Sequence, residues 1–258
     1  MTDETQPTPP RKGILVTRGV TPSFPPGAVS IKIDEDGSHS MSARLHLHYD
    51  VCPTWLELAV GHLISAEEHH NILLANLSVD SRKVAGEALD LEFRAAMQAG
   101  IAACISLDAL YANVKETITL PDDVRRAWTK RKTSRPARVA EVFRRGFSIK
   151  HSTAGRVREV LLQIYGFRDL TVHPSGQSEQ AVLHPDLGSG VEWRFVAFSF
   201  TNVKEVVAGC LSMVAQLVNK PKRTNKRLIH YCDGVRPRID VLVKEWEKRY
   251  EQLHERPN

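Results

Sequence analysis

The spacing of apolar residues changes near residue 50. Between residues 14 and 50 they form short runs or alternate with polar residues, as at Val29, Ile31 and Ile33, and the polar segment Asp34–Ser38 supplies a turn. A two-residue period is typical of strands. From residue 53 onward, apolar residues recur every three or four positions, which indicates helices. The pattern predicts a mainly α fold with a small N-terminal antiparallel β appendage over residues 14–50.

The helical pattern is interrupted at Pro121 and again at Thr133–Pro136. We expect a loop over 175–190, a short aromatic strand over 192–200, and then a helix opened by a capping box of Asn202 and Glu205. Residues 51–220 are therefore predicted to form a helical bundle with a short β element before its last helix. Residues 221–258 are predicted to form a basic linker and a C-terminal helix, and residues 1–13 a disordered tail. The predicted helices span 53–77, 84–117, 122–132, 136–147, about 152–165, 202–218 and 237–253.

The composition is that of a soluble globular protein, with 42% hydrophobic and 25% charged residues among 258. The sequence has no evident membrane span or signal-peptide core, so we expect a cytoplasmic protein without membrane contacts. The cysteines are far apart and form no Cys-x-x-Cys unit, which argues against a structural zinc site. Cys104 and Cys210 lie on apolar helical stripes, where packing is the expected role.

Charge is distributed unevenly along the chain. Residues 1–120 carry a net charge of −6, whereas residues 121–258 carry +11. Between Arg125 and Arg158 there are twelve basic residues and one acid, Glu141. This density fits a polyanionic partner, with Trp128, Phe143 and Phe147 available to pack or stack. A solvated helix face explains the basic run equally well.

Arg168 and His173 offer the chemistry of metal-independent RNA cleavage. A histidine titrates near neutrality and moves the 2'-hydroxyl proton, while an arginine stabilises the developing phosphorane. The spacing alone is weak, because chance supplies about one such pair for each allowed separation. Arg168 and His173 stand out because Asp169 follows the arginine, Pro174 follows the histidine, and helical patterns flank both. Three other pairs have similar separations: Arg145 with His151, Arg223 with His230, and Arg249 with His254.

This combination resembles the HEPN superfamily, whose members are compact helical bundles with an arginine, usually a polar residue after it, and a histidine near a helix end. The resemblance covers roughly residues 51–220 by its pattern of elements. It implies a metal-independent endoribonuclease that needs no cofactor and acts as a homodimer, with Arg168, His173 and Asp169 in the site. Many members are toxins or antiviral effectors, which implies a cognate antitoxin or regulatory protein; others have lost activity or only bind.

Asp108 falls on the apolar stripe of the second predicted helix, within about 40° of Cys104 at 100° per residue. A carboxylate there needs a partner. The HEPN resemblance suggests that Asp108 supports Arg168 or His173; pairing with another basic residue at the bundle edge is equally plausible. A metal site is not expected, since the pair His46 and His48 has no local third ligand. The adjacent His69 and His70 splay apart on a helix and are explained more simply as a hydrated face.

The leading hypothesis is an endoribonuclease of HEPN type that serves as a toxin or as an antiviral or stress effector. The alternative is a noncatalytic HEPN-like module that binds RNA or protein, in which Arg168 and Asp169 form a salt bridge and His173 caps a helix. A third class, a DNA-binding regulator, lacks support because no helix-turn-helix pattern is visible. In the leading hypothesis the RNA backbone is held by Arg125, Arg126, Lys130, Arg131, Lys132, Arg144 and Arg145.

Overall fold

The chain divides after Asp50 into two units, each described here by itself. A computed structural model describes residues 16–17, 19–149, 151–172 and 179–250. The fold is mainly helical, with 68% of the described residues in helices and small antiparallel strand pairs in the N-terminal unit and before the last helices. The predicted fold class is therefore confirmed. The tail over 1–13 lies outside the described residues.

The N-terminal unit contains two antiparallel strand pairs. Strand β1 (Val20–Ser23) pairs with β4 (His46–Tyr49), and β2 (Val29–Ile33) pairs with β3 (His39–Ala43). The turn between β2 and β3 contains Gly37 at φ 80°, a conformation that glycine adopts without steric cost. β1 and β3 were not predicted, because neither has a clear apolar alternation and their pairing depends on the facing strand. Val16, in the apolar run at the start of the predicted β appendage over 14–50, lies outside a strand.

The second unit contains eight helices within its described residues. Helix α2 contacts α1, α4, α5, α7 and α8 and forms the centre of the bundle. Its small residues Ala95, Ala96, Ala99 and Ala103 are buried and allow close approach of its neighbours. The helices are α1 (Cys52–Ala75), α2 (Arg82–Thr117), α3 (Asp122–Lys130), α4 (Arg135–Gly146), α5 (His151–Val172), α6 (Trp193–Ala197), α7 (Phe200–Asn219) and α8 (Lys226–Arg249).

In length and composition, α2 is the one helix in the described part of the chain that would suffice to cross a membrane. Its most apolar window is 67% buried inside the bundle. Burial among neighbouring helices is the behaviour of a core helix, and the apolar character of α2 is accounted for by the bundle itself.

The predicted aromatic strand over 192–200 is wrong. Residues 193–197 form the short helix α6, whose first turn is capped by the Glu192 side chain accepting a hydrogen bond from the Arg194 backbone N–H. Phe195 and Phe198, three residues apart, both pack against Phe93 on α2, which is a helical rather than an alternating arrangement. The short β element lies earlier, within and at the end of the predicted loop, where β5 (Val182–Leu183) pairs with β6 (Gly190–Val191).

The capping box at Asn202 is also wrong. α7 begins at Phe200 after an extended Ser199, and the Asn202 side chain instead donates to the Val196 carbonyl, back toward α6. The preceding helix α6 brings that carbonyl close, which the sequence pattern alone did not reveal.

The C-terminal helix is longer than predicted. α8 starts at Lys226, where the Asn225 side chain accepts from the Leu228 N–H, and it passes through Pro237. The prediction placed its start at Pro237 and assigned the preceding basic residues to a linker. Leu228 and Cys232 are fully buried, so burial stabilises this additional part of the helix.

All four cysteines are free and buried, which confirms the packing role predicted for Cys104 and Cys210. Phe143 and Phe147 are fully buried and contact each other edge to face. They pack in the core and are not available to stack on bases, because the apolar face of α4 turns them inward. Trp128 on α3 remains partly exposed.

Candidate functional site

Asp108 is the centre of a polar cluster on the surface of the bundle. Its side chain on α2 is 25% exposed. One carboxylate oxygen, Oδ1, accepts hydrogen bonds from Arg135 Nε at 2.7 Å and from the Tyr165 hydroxyl at 2.6 Å. The expectation that Asp108 requires a partner is confirmed, since it binds side chains from both α4 and α5.

Arg168 lies on α5, and its guanidinium group contacts two carboxylates. Nη1 is 3.6 Å from Asp108 Oδ2, and Nη2 is 3.2 Å from Asp169 Oδ1. The guanidinium carbon is also 5.6 Å from the centre of the Tyr165 ring, within cation–π range. Arg168, Asp169 and Asp108 are therefore brought together, and Asp108 contacts both Arg168 and a basic residue from α4.

Burial and hydrogen bonding fix the protonation of two groups beneath this cluster. Burial, together with the hydrogen bond to Asp108, raises the pKa of the Tyr165 hydroxyl far above its ordinary value, so the phenol stays a donor. Burial and the nearby Asp108 charge raise the pKa of the Cys104 thiol to about 12. Cys104 is consequently a neutral packing residue and an unsuitable nucleophile near neutral pH.

Arg135 is a site residue that sequence reasoning missed. It is the first residue of α4, and its guanidinium carbon lies 4.1 Å from the centre of the Tyr111 ring. Burial opposes its charged form, but the hydrogen bond to Asp108 and the Asp108 charge outweigh this and raise the Arg135 pKa. The sequence marked only its partners: Tyr111 follows Asp108 by three residues, so the two share one helix face, but nothing in that spacing singles out Arg135.

His173 lies outside the described residues, as do Pro174 and the rest of 173–178. α5 is helical as far as Val172, without a break at Gly166. The structure therefore places the arginine of the predicted pair but not its histidine.

The basic residues predicted to hold RNA fall into two groups. Arg125 pairs with Asp122 at 2.8 Å, while Arg144 and Arg145 both bind Glu141, at 2.8 and 2.6 Å. These three have part of their charge satisfied within the protein. The second group is exposed and forms no ion pair within the described part of the chain: Arg126, Lys130, Arg131 and Lys132.

The hydrated face predicted for His69 and His70 is wrong for His70. His70 is buried, and its Nδ1 lies 3.2 Å from the Glu92 carboxylate, which also accepts the Phe200 backbone N–H at 2.7 Å. This link joins α1, α2 and the start of α7. Burial of Glu92 requires these partners, and the separation of 22 residues hid the pairing from sequence analysis. No group of three or more His, Cys, Asp or Glu side chains positioned to hold a metal occurs among the described residues.

Comparison with known proteins yields no match to a family model, a curated protein or a solved structure. The functional argument therefore rests on the residues of this chain.

Proposed function

We propose that the protein is a metal-independent endoribonuclease of HEPN type, cleaving RNA through attack of a 2'-hydroxyl. The supporting observation is the position of Arg168: its guanidinium group is held beside Asp108 at the surface of the bundle, five residues before His173. A fixed cation and a histidine are the two groups that such cleavage requires.

In this proposal His173 takes the proton of the attacking 2'-hydroxyl or polarises it, and Arg168 stabilises charge on the phosphorane. Asp169 and Asp108 orient these groups, since each lies within ion-pair distance of Arg168. The bond between phosphorus and the 5'-oxygen breaks, so one fragment ends in a 2',3'-cyclic phosphate and the other begins with a 5'-hydroxyl, which takes up a proton. On an ideal helix Arg168 and His173 would lie about 140° apart. The two groups would converge if the helix end is distorted, if the arginine reaches back, or if two chains share the site. We propose the last of these, a homodimer.

The exposed basic residues around α3 provide the RNA contacts of the proposal. Lys130, Arg131 and Lys132 lie within five residues of Arg135, which itself binds the central carboxylate Asp108. Charges without an internal partner can neutralise phosphates and release counterions. We further propose a cytoplasmic toxin or antiviral or stress effector, controlled by a cognate antitoxin or regulatory protein.

One contact favours the alternative of a noncatalytic binding module. The ion pair between Arg168 and Asp169 is the arrangement expected if the arginine only stabilises the end of α5. In that case substitution of Arg168 or His173 alters stability or assembly without removing any chemistry.

The test is cleavage of mixed cellular RNA in excess chelator by the parent protein, His173→Ala and Arg168→Lys. The expected result is fragments ending in 2',3'-cyclic phosphate with the parent only, while both variants remain folded. Retaining positive charge in Arg168→Lys separates the need for a guanidinium fork from the need for a cation. Cleavage by His173→Ala at the parental rate, or a folded parent inactive on several RNA classes, contradicts the proposal.

A further inference from the structure

The carboxylate of Asp108 holds two guanidinium groups, and the structure leaves one of them with unused donors. Arg135 Nε donates its hydrogen bond to Asp108 Oδ1, and the Tyr111 ring covers one face of the Arg135 guanidinium group. Its Nη1 and Nη2 have no hydrogen-bond partner among the described residues. The side chain is 41% exposed, compared with 29% for Arg168. A guanidinium fixed at Nε and open at both terminal nitrogens is arranged for bidentate phosphate recognition.

The position of Arg135 is fixed from several sides. Tyr111 is 5% exposed and forms a rigid wall beneath the guanidinium group. Tyr165 donates to the same Asp108 oxygen as Arg135 and thereby restrains the carboxylate. Preorganisation of this kind lowers the entropy lost when a ligand binds.

The turn before Arg135 carries the densest unpaired positive charge of the basic segment. Lys132, at φ 46°, lies in the turn after α3, and the Thr133 N–H closes this turn by donating to the Trp128 carbonyl at 3.0 Å. Arg138 Nε donates to the Thr133 carbonyl at 2.8 Å and ties the turn to α4. We call residues 130–132 the basic turn. Its chain path leads directly to Arg135 and so to the Asp108 cluster.

We propose that Arg135 is a phosphate-binding positioning residue, which together with the basic turn holds the RNA backbone beside Arg168. This inference rests on the proposed ribonuclease function for its substrate class. Arg168 contacts the phosphate that reacts, while Arg135 holds a neighbouring phosphate and sets the register of the strand. Asp108 orients both arginines and contacts no phosphate itself.

The test is binding of a 2'-O-methyl oligoribonucleotide, which offers phosphates but no attacking hydroxyl, measured over a range of salt concentrations. Arg135→Gln is expected to weaken binding about tenfold. It should also make the negative slope of log affinity against log salt concentration less steep by about one. Arg135→Lys should keep most of the salt slope but recover only part of the affinity, because it keeps the charge and loses the fork.

The control is Arg94→Gln, which removes the same charge from an arginine that pairs with Asp90 at the same distance of 2.7 Å. Arg94 lies about 21 Å along α2 from Asp108. It should change the affinity less than twofold. A folded Arg135→Gln protein with parental affinity and salt slope overturns the proposal, as does a parent that fails to bind the oligonucleotide. If Arg135→Gln lowers the salt slope but the parent cleaves no RNA, the ribonuclease proposal fails and the phosphate contact stands.

Discussion

Replacing Asp108 by asparagine should destabilise the protein more than the same replacement of an ordinary surface aspartate. The change preserves side-chain size but removes the negative charge that faces Arg135 and Arg168. A hydrogen bond to a charged group contributes about 1.5–3 kcal/mol to stability. Both arginines are partly exposed, so water solvates them when the carboxylate is removed, which makes the net loss smaller. Asparagine also keeps one acceptor oxygen for Tyr165. We therefore expect a loss of about 1–2 kcal/mol in the free energy of unfolding.

Urea denaturation, with the slope fitted for each variant, measures this loss. Asp90→Asn is the matched control, because Asp90 pairs with Arg94 on the same helix and is 45% exposed. Such an exposed i,i+4 pair should contribute only about 0.3–0.5 kcal/mol. A double-mutant cycle of Asp108→Asn with Arg135→Gln should give a coupling of about 1 kcal/mol. Equal losses for Asp108→Asn and Asp90→Asn, with no coupling to Arg135, would refute the central position assigned to this carboxylate.

Two further substitutions test the packing of the bundle. A Cβ at Gly146 would approach a Val114 methyl to 2.8 Å, so Gly146→Ala should lower the free energy of unfolding by about 1–3 kcal/mol in thermal or urea denaturation. A Cβ at Gly209 meets nothing within 4 Å, so Gly209→Ala should raise it by up to about 1 kcal/mol. A similar result at both glycines would be inconsistent with this packing. Glu92→Gln should destabilise the protein more at about pH 6 than at about pH 9. The hydrogen bond to Glu92 raises the pKa of His70 above its unfolded-state value of 6.5. The stability contributed by this pair is therefore complete below pH 6.5 and is lost as the pH rises through the raised pKa. Urea unfolding at the two pH values measures the difference, and a pH-independent loss would show that His70 is not charged against Glu92.

The helical periodicity located α1, α2 and α7 well, because their apolar stripes face the core. α2 was predicted over 84–117 and spans Arg82–Thr117. The errors occurred where tertiary contacts decide the structure. Phe195 and Phe198 become helical by packing on Phe93, and α8 continues through Pro237 because the residues before it are buried.

The candidate site was predictable in part. A carboxylate on the apolar stripe of α2 indicated that Asp108 must have a partner, and the chemistry of the motif directed attention to Arg168. Arg135 could not be chosen among twelve neighbouring basic residues, because its distinction lies in the long-range contacts with Asp108 and Tyr111. The link between His70 and Glu92 was hidden for the same reason.

The most direct test of the proposed chemistry compares two oligonucleotides of one sequence around a mapped cleavage site. One carries ribose throughout, and the other has a single 2'-deoxyribose at the nucleotide that supplies the attacking hydroxyl. Both are incubated with the parent protein in excess chelator, and binding is measured in parallel. The account predicts equal binding, with cleavage lost at that position only in the deoxy-substituted strand. Continued cleavage at the substituted position would contradict attack by the 2'-hydroxyl and the roles given to Arg168 and His173.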